Sequence, residues 1–116
     1  MKCVYIAGKL SSPDPLAFLR NINRLQEWTA RAREFGLAPF PVADDFADIM
    51  RTDGVTMEMV KEASMAWLRK ADCVFVTPGW ESSQGTRDEI EEAVGLGIPV
   101  FYGLEDVLKW GAEETV

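Results

Sequence analysis

Apolar residues recur along this chain in two alternating rhythms. Val4-Tyr5-Ile6-Ala7, Cys73-Val74-Phe75-Val76 and Ile98-Pro99-Val100-Phe101 are short continuous runs, as expected of strands buried on both faces. Between them, apolar positions return every three or four residues, which gathers them on one side of a helix. Leu16, Leu19, Ile22, Leu25, Trp28, Ala32 and Phe35 mark such a face on a long first helix. Asp14-Pro15 or Ser12-Pro13 supplies its cap and first-turn proline, and Gly36 ends it. Leu37-Ala38-Pro39-Phe40-Pro41 predicts a short second strand, and its prolines suit a sheet edge.

The acidic segment 42–54 predicts a short helix and a loop. Thr56 can cap a further helix with Met57, Val60, Ala63, Trp67 and Leu68 inward. A third strand over 73–77 leads to a helix from Thr86, with Ile90, Ala93 and Val94 inward and Gly95 or Gly97 as its stop. A fourth strand over 98–102 and a last helix over 105–110 complete the pattern, with a frayed tail. Strands alternating with helices imply a parallel sheet with right-handed crossovers. The expected fold is therefore α/β: one domain over residues 1–116, a flavodoxin/Rossmann-like three-layer sandwich on a small parallel sheet of four to five strands. Ligands of such sheets sit beyond the carboxyl ends of the strands. That convergence joins the turn after Ala7-Gly8, the loop after Phe40 and the loop 77–86.

Composition narrows the function. A chain of 116 residues, 47% hydrophobic, supports one packed core. The formal charge of −7 disfavours a nucleic acid polymer as partner. No apolar stretch reaches the ~20 residues of a membrane span. The apolar run at the N-terminus is too short for a signal peptide, so the cytoplasm is the expected compartment. Cys3 and Cys73 fall in predicted strands and read as reduced core residues. The chain has no histidine, which excludes a His-dependent triad. Without histidine or a close cysteine pair, no metal site is expected. The spacing of Asp44, Asp45 and Asp48 fits no calcium loop and reads as a solvated acidic face.

The chemistry concentrates in Thr77-Pro78-Gly79-Trp80-Glu81-Ser82-Ser83-Gln84-Gly85-Thr86-Arg87-Asp88-Glu89. A strand, a Gly/Ser-rich turn and a helix start form an anion-binding layout. Ser82 and Ser83 offer hydroxyls, and Gly85 lets backbone N–H groups approach a phosphate; ordinary turn chemistry is the other reading. Glu89 also has two readings. Thr86 and Glu89 match a capping box. Equally, an ionised carboxylate near a helix N-terminus suits attack on an anomeric carbon, and both readings hold if Ser83 caps the helix instead. Gly8, Lys9 and Ser11 with Ser12 make a second cradle, without Walker-loop spacing. Tyr5 is a core aromatic or, at the strand end, a group that orients a carboxylate. Trp80 stacks on a base or packs over the site. Asp72 is a turn residue before the third strand or a site carboxylate.

Val4-Tyr5-Ile6-Ala7-Gly8, Ala71-Asp72 and Gly-Trp-Glu-Ser-Ser-x-Gly-Thr-x-x-Glu followed by Ala93 together resemble the nucleoside 2-deoxyribosyltransferase-like superfamily, from about Lys2 to Phe101. Its members move a 2-deoxyribosyl group between bases or, as nucleoside 5'-monophosphate N-glycosidases, pass it to water. The resemblance implies Glu89 as nucleophile, Tyr5 as its orienting group, Ser83 on the 5'-phosphate and Asp72 near sugar or base. It implies no cofactor, a nucleotide or nucleoside ligand, and a homodimer or larger homo-oligomer. Asp72 or Asp88 would assist the leaving base. The glycosidases carry an Arg in the first loop, where this chain has Lys9-Leu10-Ser11-Ser12. The tail after Tyr102 offers no match to the segment that completes a neighbour's site in several relatives. Hydrolysis of a (deoxy)nucleoside 5'-monophosphate, base exchange on free nucleosides, and nucleotide binding without turnover are the three functions this pattern allows.

Overall fold

A computed structural model describes residues 1–114. Four strands, β1 (Cys3–Ala7), β2 (Ala38–Phe40), β3 (Cys73–Val76) and β4 (Val100–Phe101), form one sheet in the order β2-β1-β3-β4. All neighbours are parallel, with Tyr5 paired to both Phe40 and Val74. Helices α1 (Pro15–Glu34), α2 (Val42–Ala47), α3 (Met57–Leu68), α4 (Gln84–Gly95) and α5 (Leu104–Glu114) flank it, giving a Rossmann-like sandwich. From β1 the chain crosses to β2 on one side and later to β3 on the other. The crevice between their carboxyl ends is the switch point where such sheets bind ligands.

Asp14 begins α1: its Oδ1 accepts the Leu16 amide at 3.1 Å, and Pro15 takes the first position. The helix ends at Gly36, whose φ of 81° suits glycine. Its buried stripe is Phe18, Asn21, Ile22, Leu25, Thr29 and Ala32, which corrects the predicted face. Leu16, Leu19 and Phe35 are exposed: the first two lie more than about a quarter of a turn from the centre of that stripe at 3.6 residues per turn, and Phe35 is the cap residue that follows the helix. Asn21 and Thr29 take the inner places by bonding internally, to Leu10 O at 3.1 Å and Leu25 O at 2.8 Å.

Thr56 caps α3 through the Met59 amide. Its inner row is Val60, Ser64 and Leu68, one residue in every four. Ala63 and Trp67 face outward against expectation, although Trp67 still stacks on Phe40 at 5.1 Å. Val94 of α4 is likewise exposed. Strand β4 is shorter than predicted. Pro99 has no N–H for the ladder and contributes only its carbonyl, to the Val74 amide at 2.9 Å. The last helix is longer than predicted and continues to Glu114; the rest of the expected frayed tail, residues 115–116, lies outside the described residues.

Tyr5, Ile6, Leu25, Leu68, Phe75 and Val107 are among the fully buried side chains. Trp28 packs edge-on against Phe75, and Trp110 packs at a tilt against Phe101, so both extend the core. Cys73 is buried, and burial pushes its thiol up to about 12. Cys3, expected in the core, is exposed at the start of β1. No described helix is long and apolar enough to cross a membrane.

Candidate active site

Packing around Gly8 shapes one wall. A Cβ there would collide with Thr77 Oγ1 and come within 2.6 Å of Leu25 Cδ2, so glycine lets the end of β1 lie between β3 and α1. The chain then turns through Lys9, Leu10 and Ser11. Opposite, the Thr77 amide donates to Ala7 O at 2.9 Å, holding the two strand ends together. Gly79, at a φ of 90°, leads into a single 3₁₀ turn (Trp80–Ser82). That turn delivers Ser83 to the head of α4.

Ser83, not Thr86, caps α4. Its Oγ accepts the Thr86 amide at 3.2 Å and the Thr86 hydroxyl at 2.9 Å. The helix therefore begins at Gln84, two residues earlier than predicted, and the capping box between Thr86 and Glu89 does not form. Glu89 sits six residues beyond the cap, about 9 Å along the axis. A carboxyl there has left the first turn, where the helix dipole acts most strongly.

These segments enclose a cavity of about 410 Å3. Tyr5, Gly8, Lys9, Ser11, Ser82, Ser83, Gly85, Thr86 and Glu89 all line it. At its mouth, Lys9 Nζ donates to Ser82 Oγ at 3.3 Å, and Ser82 Oγ donates to Gly79 O at 3.2 Å. With the free amides of the first turn of α4, these groups can receive an anion. The adjoining wall is apolar, with Leu10, Val42, Phe46 and Met65.

The deep end carries the reactive groups. Tyr5 is 1% exposed and Ser64 3% exposed, yet Tyr5 Oη and Ser64 Oγ have no hydrogen-bond partner. Buried hydroxyls are ordinarily bonded, so two orphans in one cavity mark a place for ligand atoms. Glu89 and Ser64 lie near enough to the phenol to affect its ionisation, although no well-formed hydrogen bond links the three. Burial raises the Glu89 carboxyl to about 7; the Tyr5 hydroxyl lowers it, Asp88 raises it and Lys61 lowers it. The carboxyl is thus close to half-ionised at neutral pH, contrary to the ionised state its place near a helix start suggested. Burial raises the Tyr5 hydroxyl well above its ordinary value, followed by the charge of Glu89.

Two sequence candidates lie elsewhere. Asp72 stands at the amino end of the sheet, away from the cavity. Its Oδ2 accepts the Cys3 amide at 2.7 Å, and its own amide donates to Cys3 O at 2.9 Å. A residue that opens a parallel strand cannot reach the opposite, carboxyl edge. Trp80 packs on Tyr102 at 5.4 Å and is not part of the cavity wall. Asp88 does line the cavity and accepts Gln84 Nε2 at 2.7 Å. Asp45 is half-buried, and burial, then Asp48 and Asp44, raise its carboxyl; the acidic segment is therefore not wholly a solvated face. Sequence reasoning missed the contribution of α3, namely Lys61, Ser64 and Met65. Ser64 left one signal, as the polar member of the otherwise apolar row Val60, Ser64, Leu68.

Residues 2–102 match the model of a family described as a domain of unknown function (DUF4406). No curated protein matches the chain.

Proposed function

The chain belongs to the DUF4406 family, and we propose that it hydrolyses the N-glycosidic bond of a (deoxy)nucleoside 5'-monophosphate through a covalent glycosyl–Glu89 intermediate. One observation carries this reading. The half-buried Glu89 and the buried Tyr5 hydroxyl, which lies close to its carboxyl without a well-formed hydrogen bond, line one cavity together with the head of α4. A 5'-phosphate at the mouth, on Ser83, Lys9 and the α4 amides, leaves the sugar facing Glu89. The resemblance to the nucleoside 2-deoxyribosyltransferase-like superfamily supports the same roles.

Glu89 attacks C1' as the bond to the base nitrogen breaks, through an oxocarbenium-like state. The bonding pair leaves on the base, which takes a proton from water or through Asp88. Water then attacks C1' and yields its proton to solvent, and the glycosyl ester opens to free the carboxylate. The Tyr5 hydroxyl steadies that carboxylate between steps, and the apolar wall of Leu10, Val42, Phe46 and Met65 receives the base. The roles of Tyr5 and Ser83 require no metal or organic cofactor. Action in the cytoplasm and assembly as a homodimer or larger homo-oligomer belong to this reading; exposed Leu16 and Leu19 support the assembly.

The test is chromatography of free base from ribo- and deoxynucleoside 5'-monophosphates and their nucleosides, with and without an acceptor base. Release from monophosphates that disappears in folded Glu89→Gln is the expected result. Turnover only with an acceptor base would instead indicate deoxyribosyl transfer. Binding without turnover of any compound would overturn the enzymatic reading and leave nucleotide sensing.

A further inference from the structure

Resting on that reading, we infer that Ser64 recognises the 2'-hydroxyl of the sugar, so that the substrate is a ribonucleotide and not its 2'-deoxy counterpart. Ser64 faces the cavity from α3, is 3% exposed and leaves its Oγ without a partner. Beyond its closeness to the Tyr5 hydroxyl, it makes no well-formed hydrogen bond that explains its place in the row between Val60 and Leu68. A serine on such a row is more costly than alanine unless something satisfies its hydroxyl. Its oxygen neighbours the Tyr5 hydroxyl, which itself neighbours Glu89. The anomeric carbon must meet Glu89 for the reaction to occur. The 2'-carbon is bonded directly to it, whereas the 3'-carbon is one bond further away. The 2'-hydroxyl is therefore the sugar hydroxyl closest to the cluster of Glu89, Tyr5 and Ser64.

A 2'-hydroxyl can donate to Ser64 Oγ and accept from Tyr5 Oη, which gives both orphaned hydroxyls a partner. Hydrogen bonds at the 2-position strengthen as an oxocarbenium-like state develops, so the contact promotes reaction as well as binding. A deoxy sugar leaves both hydroxyls buried and unpaired, the situation in which a polar site discriminates strongly against an analogue lacking the group.

The experiment has a catalytic arm and a binding arm. Base release is compared for matched ribo- and 2'-deoxynucleoside 5'-monophosphates with the native protein and with Ser64→Ala. Separately, ribose 5-phosphate and 2-deoxyribose 5-phosphate are titrated calorimetrically into the same proteins. The native protein should favour the ribo compounds about tenfold to a hundredfold in both arms. Ser64→Ala should lose most of that preference, because activity on the ribo compounds falls about tenfold or more relative to activity on the deoxy compounds, while the ligand-free protein melts no lower than the native one. Ser64→Cys, which keeps a weak donor, serves as a second variant. A native preference for the deoxy compounds overturns the inference. So does a Ser64→Ala loss equal for both sugars, which would make Ser64 a positioning residue for Tyr5. If no monophosphate is cleaved but ribose 5-phosphate still binds more tightly through Ser64, the hydroxyl site stands and the hydrolase reading falls. Equal binding of the two sugar phosphates without cleavage overturns both.

Discussion

Tyr5 and Glu89 act on each other's protons across the cavity. The phenol favours the ionised carboxylate, while the carboxylate's charge disfavours the phenolate. Burial is the largest influence on both: it raises the phenol along with the carboxylate's charge, and it raises the carboxyl against the phenol's opposing effect. The pair therefore holds a neutral phenol beside a carboxyl that titrates near neutrality, and it is supplied by two elements far apart in sequence, β1 and α4. A nucleophile must be ionised to attack, so base release should rise with pH and level off above about 7. Below that it should fall about tenfold per unit of pH. The Tyr5 hydroxyl stabilises the charged form, so Tyr5→Phe should move the rising limb to higher pH. A profile of kcat/KM against pH for the two proteins checks this. An unmoved limb in Tyr5→Phe would separate the phenol from the ionisation that governs the rate.

Burial of Glu89 also has a thermodynamic consequence. Its carboxyl titrates at about 7 in the folded protein against an ordinary value of 4.5, so between these pH values the folded state binds more protons than the unfolded state. Stability then falls as pH rises through that window and is level above it. The cost at pH 8 is at most about 3.5 kcal/mol, since each pH unit of the window contributes roughly 1.4 kcal/mol. Glu89→Gln removes the charge and should unfold at higher urea than the native protein at pH 8, with little difference near pH 4. A stabilisation that accompanies lost activity is the usual sign of a group kept for chemistry. Equal urea midpoints at pH 8 would mean that the carboxyl is not strained by burial.

The strand runs and the edge prolines made the sheet legible in sequence, because burial on both faces leaves a continuous apolar signature. The cavity lip was legible for the same reason: it lies at the ends of those strands, where Gly8, Lys9, Ser82 and Ser83 are adjacent to the runs. Helix faces were less legible. Asn21 and Thr29 are buried because their side chains find main-chain partners, which hydrophobic periodicity does not register. Asp72 was legible as the turn residue before the third strand, and that position alone puts it at the amino edge of a parallel sheet, opposite the cavity; only its reading as a site carboxylate fails. Ser64 was overlooked because an isolated serine on an apolar row looks like a gap in the pattern.

Ser83 joins stability to binding, and substitutions can separate the two. Ser83→Ala removes the acceptor of the Thr86 amide and the partner of the Thr86 hydroxyl, and should cost about 1 kcal/mol. Ser83→Asp restores a cap but sets a negative charge where the phosphate would rest. Its stability should stay near that of the native protein while affinity for a nucleoside 5'-monophosphate falls at least about tenfold, by like-charge repulsion. Paired urea denaturation and calorimetric titration decide it. Unchanged affinity in Ser83→Asp would move the phosphate away from the head of α4.

Asp72 should behave in the opposite way to Glu89. Its carboxylate holds the Cys3 amide at 2.7 Å, fastening the amino ends of β1 and β3 on the side of the sheet away from the cavity. The bond is solvent-exposed, so its loss in Asp72→Ala should cost only about 1 kcal/mol. For a chain of this size that corresponds to roughly 4 °C in melting temperature. The strand ends that carry the site are fixed separately, by the Thr77 amide on Ala7 O and by packing around Gly8. Catalysis should therefore stay within about twofold of native, since distant and independent sites do not couple. Measuring kcat/KM and melting temperature on the same preparation gives the answer. A large loss of activity without loss of stability would bring Asp72 back into the reaction and would contradict its position at the amino edge.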